Sequence, residues 1–587
     1  MCGIFAIISQ DKYVSHFVSS AKKAVDALSH RGPDDAGLFI HPHAILGHRR
    51  LSIIDLKGGN QPMLSSDGRY CIIYNGEIFN HNEIREKLIV KGHKFLTKSD
   101  TEVILHVYEE YGEDSVQLLR GMFAFVIIDL SSYEVYAARD RYGIKPLYWA
   151  ENDGIYLFSS EIRPMYETGI IRPDFNSDLF DEFLIFGYIA GKNTLHKQVK
   201  KIEPGHFLHI TRDRVLYKRY WYPCTGEVAE ITLENAISTL REKLQDAIQS
   251  WLLADVDVGS MMSGGIDSST ITVYAKKSLG SLVTFSVTFP DDSDIDESYH
   301  IRTLVKELNL NNFEIPFDED FFFQSLIKLA NHFDEPILDP NTYTLMALCQ
   351  YIRETTSLKV VLCGEGADEV FGGYERHRTL SNEYNEKHND ELFLLGNNRV
   401  ALPRMELIKG NTNFAFPERS AIVKNLKSTD PINRILEYDQ LTYLTVRLDI
   451  QDRIGMLFGL EVRTPFLDHH LTEFVNSLPG HFKVSPEWSK YILRLVSGEV
   501  IPSSVAWERK KTAMSFPYSR MLYSGRLKKI FQSMVLDQGI LTRYYSKNGI
   551  NTLLKLHNPS VIGQDHSNTL WRILALELWL RSWNKYE

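Results

Sequence analysis

MCGIFAII, residues 1–8, sets a cysteine directly in front of a short apolar run, with charge following at SQDK. The run is too short for a signal-peptide core and has no basic stretch before it, so it reads as a buried strand. Methionine is normally removed when the next residue is small. Cys2 would then carry both its thiol and a free α-amine, whose reference pKa of about 7.7–8.0 suits a base at neutral pH. A nucleophile beside a terminal amine is a workable catalytic pair. A cysteine at position 2 is by itself usually incidental, so its neighbours decide.

Working outward, short apolar runs at 71–74, 123–128 and 135–138 predict further strands, and the patterns at 82–91 and 101–110 predict amphipathic helices. HRGPD, KGGNQP and SSDGR punctuate them as turns. Strands clustered with segregated helices imply an α+β layered fold. The pattern changes after about Tyr222. A loop with Pro223 and Gly226 leads to a helical stretch at 232–252. Apolar strands at 256–262, 282–289 and 360–363 then alternate with helices, which implies a parallel sheet. The last quarter reads as helical and ends in an amphipathic stretch at 569–583.

The chain has 587 residues, 44% hydrophobic and 24% charged, enough for two to four domains with real cores. A net charge of −10 argues against nucleic acid as a partner. Five cysteines without a CxxC pair argue against a disulfide framework and against a zinc site. No apolar run approaches the ~18 residues of a spanning helix. These features lead to the expectation of a soluble, cytoplasmic protein without membrane or nucleic-acid partners.

After MCGI come HRGPD (30–34), HRRLSIID (48–55), NGEIFN (75–80), SDTEV (99–103) and RDRYGIKPLY (139–148), in that order. Together they closely resemble the class II glutamine amidotransferase domain, an N-terminal-nucleophile hydrolase of αββα layers. The resemblance implies Cys2 as nucleophile, with the Asn75 side chain and Gly76 N–H as donors to a tetrahedral oxyanion. It also implies Arg50 for the glutamine α-carboxylate and Asp100 for its α-ammonium, with Leu51, Ser52, Ile53 and Glu77 in the same site. HRGPD and RDRYGIKP are expected to shape the site and carry no direct chemistry.

The strand at 256–262 runs into SGGIDSS, residues 263–269, and then a helix. A glycine-rich turn opening a helix presents unpaired N–H groups at the positive end of the dipole, which is an anion site. It lacks the Walker A pattern. SGGxDS resembles the pyrophosphate loop of ATP pyrophosphatases. With TFSVTF (284–289), VLCGEGADEVFGGY (361–374) and SKYILR (489–494), the resemblance extends to the glutamine-hydrolysing asparagine synthetase family over nearly the whole chain. It implies ATP contacts from Met262, Ser263, Gly264, Gly265, Asp267, Ser268, Ser269, Val287, Cys363, Gly364 and Glu365. It further implies Mg²⁺ at Asp267 and Asp368, and Lys490 on the anionic transition state. Most of the segment RLDIQDRIGMLFGLEVRTPFLD (447–468), which also matches the family, is expected to be packing scaffold.

The implied organisation is a glutaminase domain at 2–215 and an α/β synthetase domain at 230–587 with a helical C-terminal part. The implied reaction takes ammonia from glutamine to an ATP-activated aspartate, giving asparagine, glutamate, AMP and pyrophosphate, in a possible homodimer. An enclosed route between the domains is expected, because free ammonia would mostly protonate in bulk water. Two segments of the acceptor pocket depart from the family pattern. FDEPILDPNTYT (333–344) has no arginine, and KKTAMSFP (510–517) carries Ala513 and Met514 where Gly and Phe are common. Another carboxylate acceptor (a sugar acid, peptidoglycan or a natural-product precursor) therefore stays open. A β-lactam synthetase-type cyclase and a non-catalytic homologue are further alternatives, though such cyclases lose the N-terminal cysteine that is kept here.

Overall fold

The computed structural model describes residues 2–290, 295–387, 395–410, 414–507 and 516–583. Residues 510–515 of the acceptor segment, Ala513 and Met514 included, lie outside the described residues.

Two six-stranded antiparallel sheets form the N-terminal half. Cys2–Ile8 sits inside the first, paired with Ala44–Arg50 on one side and Ile155–Ser159 on the other. The second is centred on Tyr70–Ile78 and Gly121–Asp129. Alternation along the strands sorts their side chains into layers. Ile4, Ala6 and Ile8 meet Cys71, Ile73, Ala124 and Val126 between the sheets. Phe5 and Ile7 face the other way, onto the helix Val18–Ala27. Ile72 and Tyr74 pack under the helices His81–Val90 and Asp100–Tyr111. The result is the expected αββα sandwich, apolar on both faces of both sheets. Its second sheet closes with Val215–Arg219, a few residues past the bound expected from sequence.

The third sheet is parallel, in the order Asn311–Pro316, Val283–Thr288, Val258–Met261, Val360–Leu362, Glu461–Arg463. The chain builds outward from Val258–Met261 in one direction, then returns to add Val360–Leu362 on its other side. That reversal opens a crevice at the carboxyl ends of these two strands, the usual ligand site of open α/β sheets. Among the described residues no helix is long and apolar enough to cross a membrane. The terminal helix Ser567–Trp583 differs from its amphipathic reading. It is buried on nearly every side, with Trp571, Trp579 and Trp583 packed against both halves of the molecule. A helix apolar all round belongs in a core.

Buried charge crosses the junction between the halves. Arg31 Nη2 pairs with Asp452 at 2.6 Å and Nη1 with Glu161 at 3.1 Å, while Lys145 reaches Asp452 at 3.4 Å. Arg453 pairs with Asp334 at 2.7 Å and also donates to the Tyr148 hydroxyl. Burial pulls the Arg31 guanidinium down, but Asp452 and Glu161 outweigh it and hold its pKa above the ordinary value.

Removing one partner from such a set leaves an uncompensated buried charge, at a cost of about 3–5 kcal/mol. Asp452→Asn is therefore expected to lower the thermal midpoint sharply, with an unchanged midpoint as the contrary result in calorimetry. Burial also lowers the pKa of His48 to about 3 and of His196, His206 and His332 to about 4. Between pH 6.5 and 4 the unfolded chain takes up protons on these rings that the folded chain refuses. Stability is then expected to fall as pH drops through that window, by up to ~1.4 kcal/mol per histidine per pH unit. A pH series of melting curves measures the slope.

Candidate active sites

Cys2 has the strand parity of Ile4, Ala6 and Ile8, and Asn75 that of Cys71 and Ile73, so both point into the space between the sheets. They meet at its edge, where the Cys2 N–H donates to Asn75 Oδ1 at 2.8 Å. With its oxygen held in this way, Asn75 Nδ2 is a buried donor with no hydrogen-bond partner among the described residues. Gly76 follows at φ +156°, and a Cβ there would lie 2.1 Å from the Met122 carbonyl. Arg50 stands directly across the strand pair from Cys2. A loop of carbonyls fixes its guanidinium, with Asp55 O at 2.7 Å, Ile54 O at 3.2 Å and Asn60 Oδ1 at 3.0 Å. Asp100 opens the helix Asp100–Tyr111, and its Oδ2 accepts from the Tyr74 hydroxyl at 2.9 Å and the Ile78 N–H at 3.0 Å. Burial pushes the Cys2 thiol pKa up, so the thiolate requires a nearby base.

One cleft gathers Cys2, Arg50, Leu51, Ile53, Gly76, Glu77 and Asp100. Ser52 stands apart from the cleft lining; its N–H goes to Asp34 Oδ2 and its carbonyl accepts from Lys359. Sequence reading missed Ile54, Gly59, Gln61, Tyr74, Ser99 and Thr101, which complete the lining. The SDTEV motif already contained Ser99 and Thr101, while Gln61 and Tyr74 arrive only through folding.

In the parallel domain, SGGIDSS turns at the end of Val258–Met261, with Gly264 at φ +84° and Gly265 capping the helix Ile266–Leu279. Ser263 and Ser268 hydroxyls lie 3.1 Å apart, and Ser269 bonds the Gly265 carbonyl. Cys363, Gly364 and Glu365 leave the neighbouring strand, and Gly364 packs so closely that a Cβ would lie 2.9 Å from Ser268 N. The Met262 side chain is in the core, and its N–H donates to the Phe285 carbonyl of the adjacent strand at 2.8 Å. Val287 sits near the end of the adjacent strand Val283–Thr288. Cys363 is pushed up to about 12 by burial, so its thiol stays protonated.

Lys490, at φ +54°, is 2% exposed and reaches Asp267 Oδ2 at 2.5 Å and Asp368 Oδ1 at 2.7 Å. Burial lowers the pKa of the ammonium, but the two carboxylates outweigh that and raise it overall. Asp267 Oδ1 is buried without a hydrogen-bond partner among the described residues. Glu369, unmarked in the sequence reading, is pushed up to about 8 by burial and by Glu365 and Asp368. This crevice holds more negative charge than its lysine balances.

The segment 447–468, expected to be scaffold, touches both sites. Arg447 and Gln451 bind Glu365 at 3.1 and 2.9 Å. Asp452, on the next face of the same helix, holds Arg31, whose Nε donates to the Cys2 carbonyl at 3.1 Å. The sequence signal was its many charges inside an otherwise apolar pattern. HRGPD likewise enters the site architecture through Arg31.

Beside the crevice, Leu338, Asp339 and Asn341 from the 333–344 stretch line a cavity of about 370 Å³. Tyr188, Tyr438, Tyr443 and Tyr518 share it with Arg376 and Arg572, cations from distant parts of the chain. Thr342 and Thr344 hydroxyls are buried nearby without hydrogen-bond partners among the described residues.

Residues 1–221 match the glutamine amidotransferase domain family and residues 239–581 the asparagine synthase family. A Bacillus subtilis protein named asparagine synthetase [glutamine-hydrolyzing] 1 is 31% identical, with 95% of this chain and 93% of that one covered. A Penicillium rubens protein named amidase chyE is 30% identical over 84% of this chain and 86% of its own. With the two folds, the two crevices and these matches together, the chain belongs to the glutamine-hydrolysing asparagine synthetase family of ATP-dependent ligases.

Proposed function

We propose that this chain makes asparagine, using ammonia released from glutamine at Cys2 and aspartate activated by ATP in the second domain. The observation that carries the reading is the helix Tyr443–Leu457, which contacts Glu365 through Arg447 and Gln451 and the Cys2 carbonyl through Asp452 and Arg31. One rigid element ties the ammonia source to the place of use.

With Met1 removed, the Cys2 amine accepts the thiol proton and Sγ attacks the glutamine side-chain carbonyl. Asn75 Nδ2 and the Gly76 N–H receive the oxyanion, Arg50 holds the α-carboxylate and Asp100 the α-ammonium. Ammonia leaves, and water then frees glutamate from the thioester. In the second site the SGGIDSS amides and hydroxyls hold the phosphates of substrate ATP. An aspartate carboxylate oxygen attacks the α-phosphorus and pyrophosphate departs. Lys490 stabilises the charge that builds on the phosphoryl oxygens. Ammonia then attacks the acyl carbon and displaces AMP. Water exclusion between the domains protects both ammonia and adenylate. The hard oxygen donors of Asp267 and Asp368, in a crevice short of positive charge, fit Mg²⁺, which would neutralise phosphate charge there.

Cys2→Ala is expected to abolish glutamine use while ammonia-supported synthesis continues, and Asn75→Ala to lower glutamine turnover by ~10²–10³-fold. Glutaminase activity persisting in Cys2→Ala would remove Cys2 from its role.

A second reading, amidation of a larger carboxylate by the same steps, is favoured by the size and tyrosine-rich lining of the cavity beside Asp339. A carboxylate screen scored by glutamine-dependent AMP release separates the two. Turnover is expected with L-aspartate, while turnover confined to sugar acids or other bulky carboxylates would replace aspartate as acceptor.

A further inference from the structure

Two clusters of metal-ligating side chains occur among the described residues: His30 with Glu161 and His332, and His93 with His106 and Glu109. Charge balance separates them. Glu161 already holds Arg31 at 3.1 Å. No lysine or arginine ion pair to Glu109 is found among the described residues. The neighbouring lysine, Lys91, is taken by Glu110 at 2.7 Å instead.

Geometry separates them further. His106 Nδ1 lies 3.3 Å from His93 Nδ1 and 2.7 Å from Glu109 Oε2, and the third edge, His93 Nδ1 to Glu109 Oε2, is 3.9 Å. A tetrahedral ion with bonds of 2.0–2.1 Å spaces its ligands about 3.3 Å apart. Two ring nitrogens that face each other need a proton or a cation between them. The far nitrogen of His93, Nε2, meets Glu110 at 3.2 Å, while that of His106 lies 4.0 Å from Glu102, beyond hydrogen-bond reach. The Glu110 carboxylate behind His93 places the proton on its Nε2 and turns the Nδ1 lone pair toward the cluster, as around protein-bound zinc. His106 and Glu109 share one face of the helix Asp100–Tyr111 at i, i+3 spacing. His93 comes from the turn after His81–Val90, and Phe95 packs edge-on against His106 at 4.6 Å. The His93 and Glu109 side chains are 17% and 20% exposed, which leaves a path for an ion and a fourth position for water.

We propose that His93, His106 and Glu109 form a binding site for a zinc-type divalent transition metal that pins the turn at 91–99 to the helix carrying Asp100. The site is separate from both reaction crevices and has imidazole ligands, which Mg²⁺ disfavours.

The test is zinc binding to the full chain, in a Cys2→Ala background so that the cleft thiol does not contribute. Competition against a chromophoric chelator, with elemental analysis after gel filtration, is expected to give one tight zinc per chain and none displaced by excess Mg²⁺. His93→Asn with Glu109→Gln is expected to weaken binding at least 100-fold, and Glu110→Gln about 10-fold. His332→Asn should leave it unchanged. Zinc should raise the melting temperature of the parent but not of the double variant. If the double variant misfolds in chelator, Glu110→Gln, which spares all three ligands, decides by its affinity alone. No tight zinc in the parent, or equal binding in the double variant or in a folded Glu110→Gln, overturns the proposal, as does loss of the zinc in His332→Asn.

Discussion

Arg31 holds the carbonyl of Cys2 with one nitrogen and Asp452 with another, and the rest of the molecule is arranged around that bridge. A guanidinium at the junction, with no water to solvate it, demands carboxylates, and Glu161 and Asp452 come from opposite halves of the chain. Lys145 adds a second cation to Asp452, and Arg453, the next residue, pairs with Asp334 of its own half while donating to the Tyr148 hydroxyl of the other. Apolar packing alone would let the two halves slide. Buried pairs of this kind have discrete geometry, so they fix one docking. The same docking sets the distance between Cys2 and the crevice that holds Glu365.

The two crevices solve opposite electrostatic problems. Around Cys2 the need is for donors at a developing negative charge, met by a side-chain amide whose oxygen is already occupied and by a backbone too crowded for any Cβ. In the parallel domain the need is for cations. Asp267, Glu365, Asp368 and Glu369 converge, Lys490 and Arg447 balance them only in part, and burial together with the charges of Glu365 and Asp368 drives Glu369 toward its protonated form. Such a crevice favours a ligand that arrives with its own positive ion, as a nucleotide triphosphate does.

Most of the chemistry was readable because motifs compress it into a few adjacent residues. NGEIFN puts an oxyanion donor beside a glycine, and SGGIDSS puts hydroxyls at a helix start. Strand parity alone brings Cys2 and Asn75 to the same side of facing sheets. The 447–468 segment was misjudged as scaffold because its partners, Arg31, Asp334 and Glu365, lie at least 80 residues away in sequence. The terminal helix was misjudged for a related reason. Its polar residues, Glu577 and Arg581, are buried and half-buried around a local pair instead of marking a solvated face.

By itself the sequence determined the layered and parallel folds through periodicity, and its motifs, through the family they resemble, pointed to Cys2, to the SGGIDSS turn and to the acidic strand end, each held within a few adjacent residues. Only the tertiary structure decided that a single helix joins the two sites, that Lys490 is buried between Asp267 and Asp368, and that Arg376 and Arg572 stand where the 333–344 stretch lacks an arginine. Charge neutralisation and desolvation act through space between distant segments, and linear order carries no record of which buried charge will meet which.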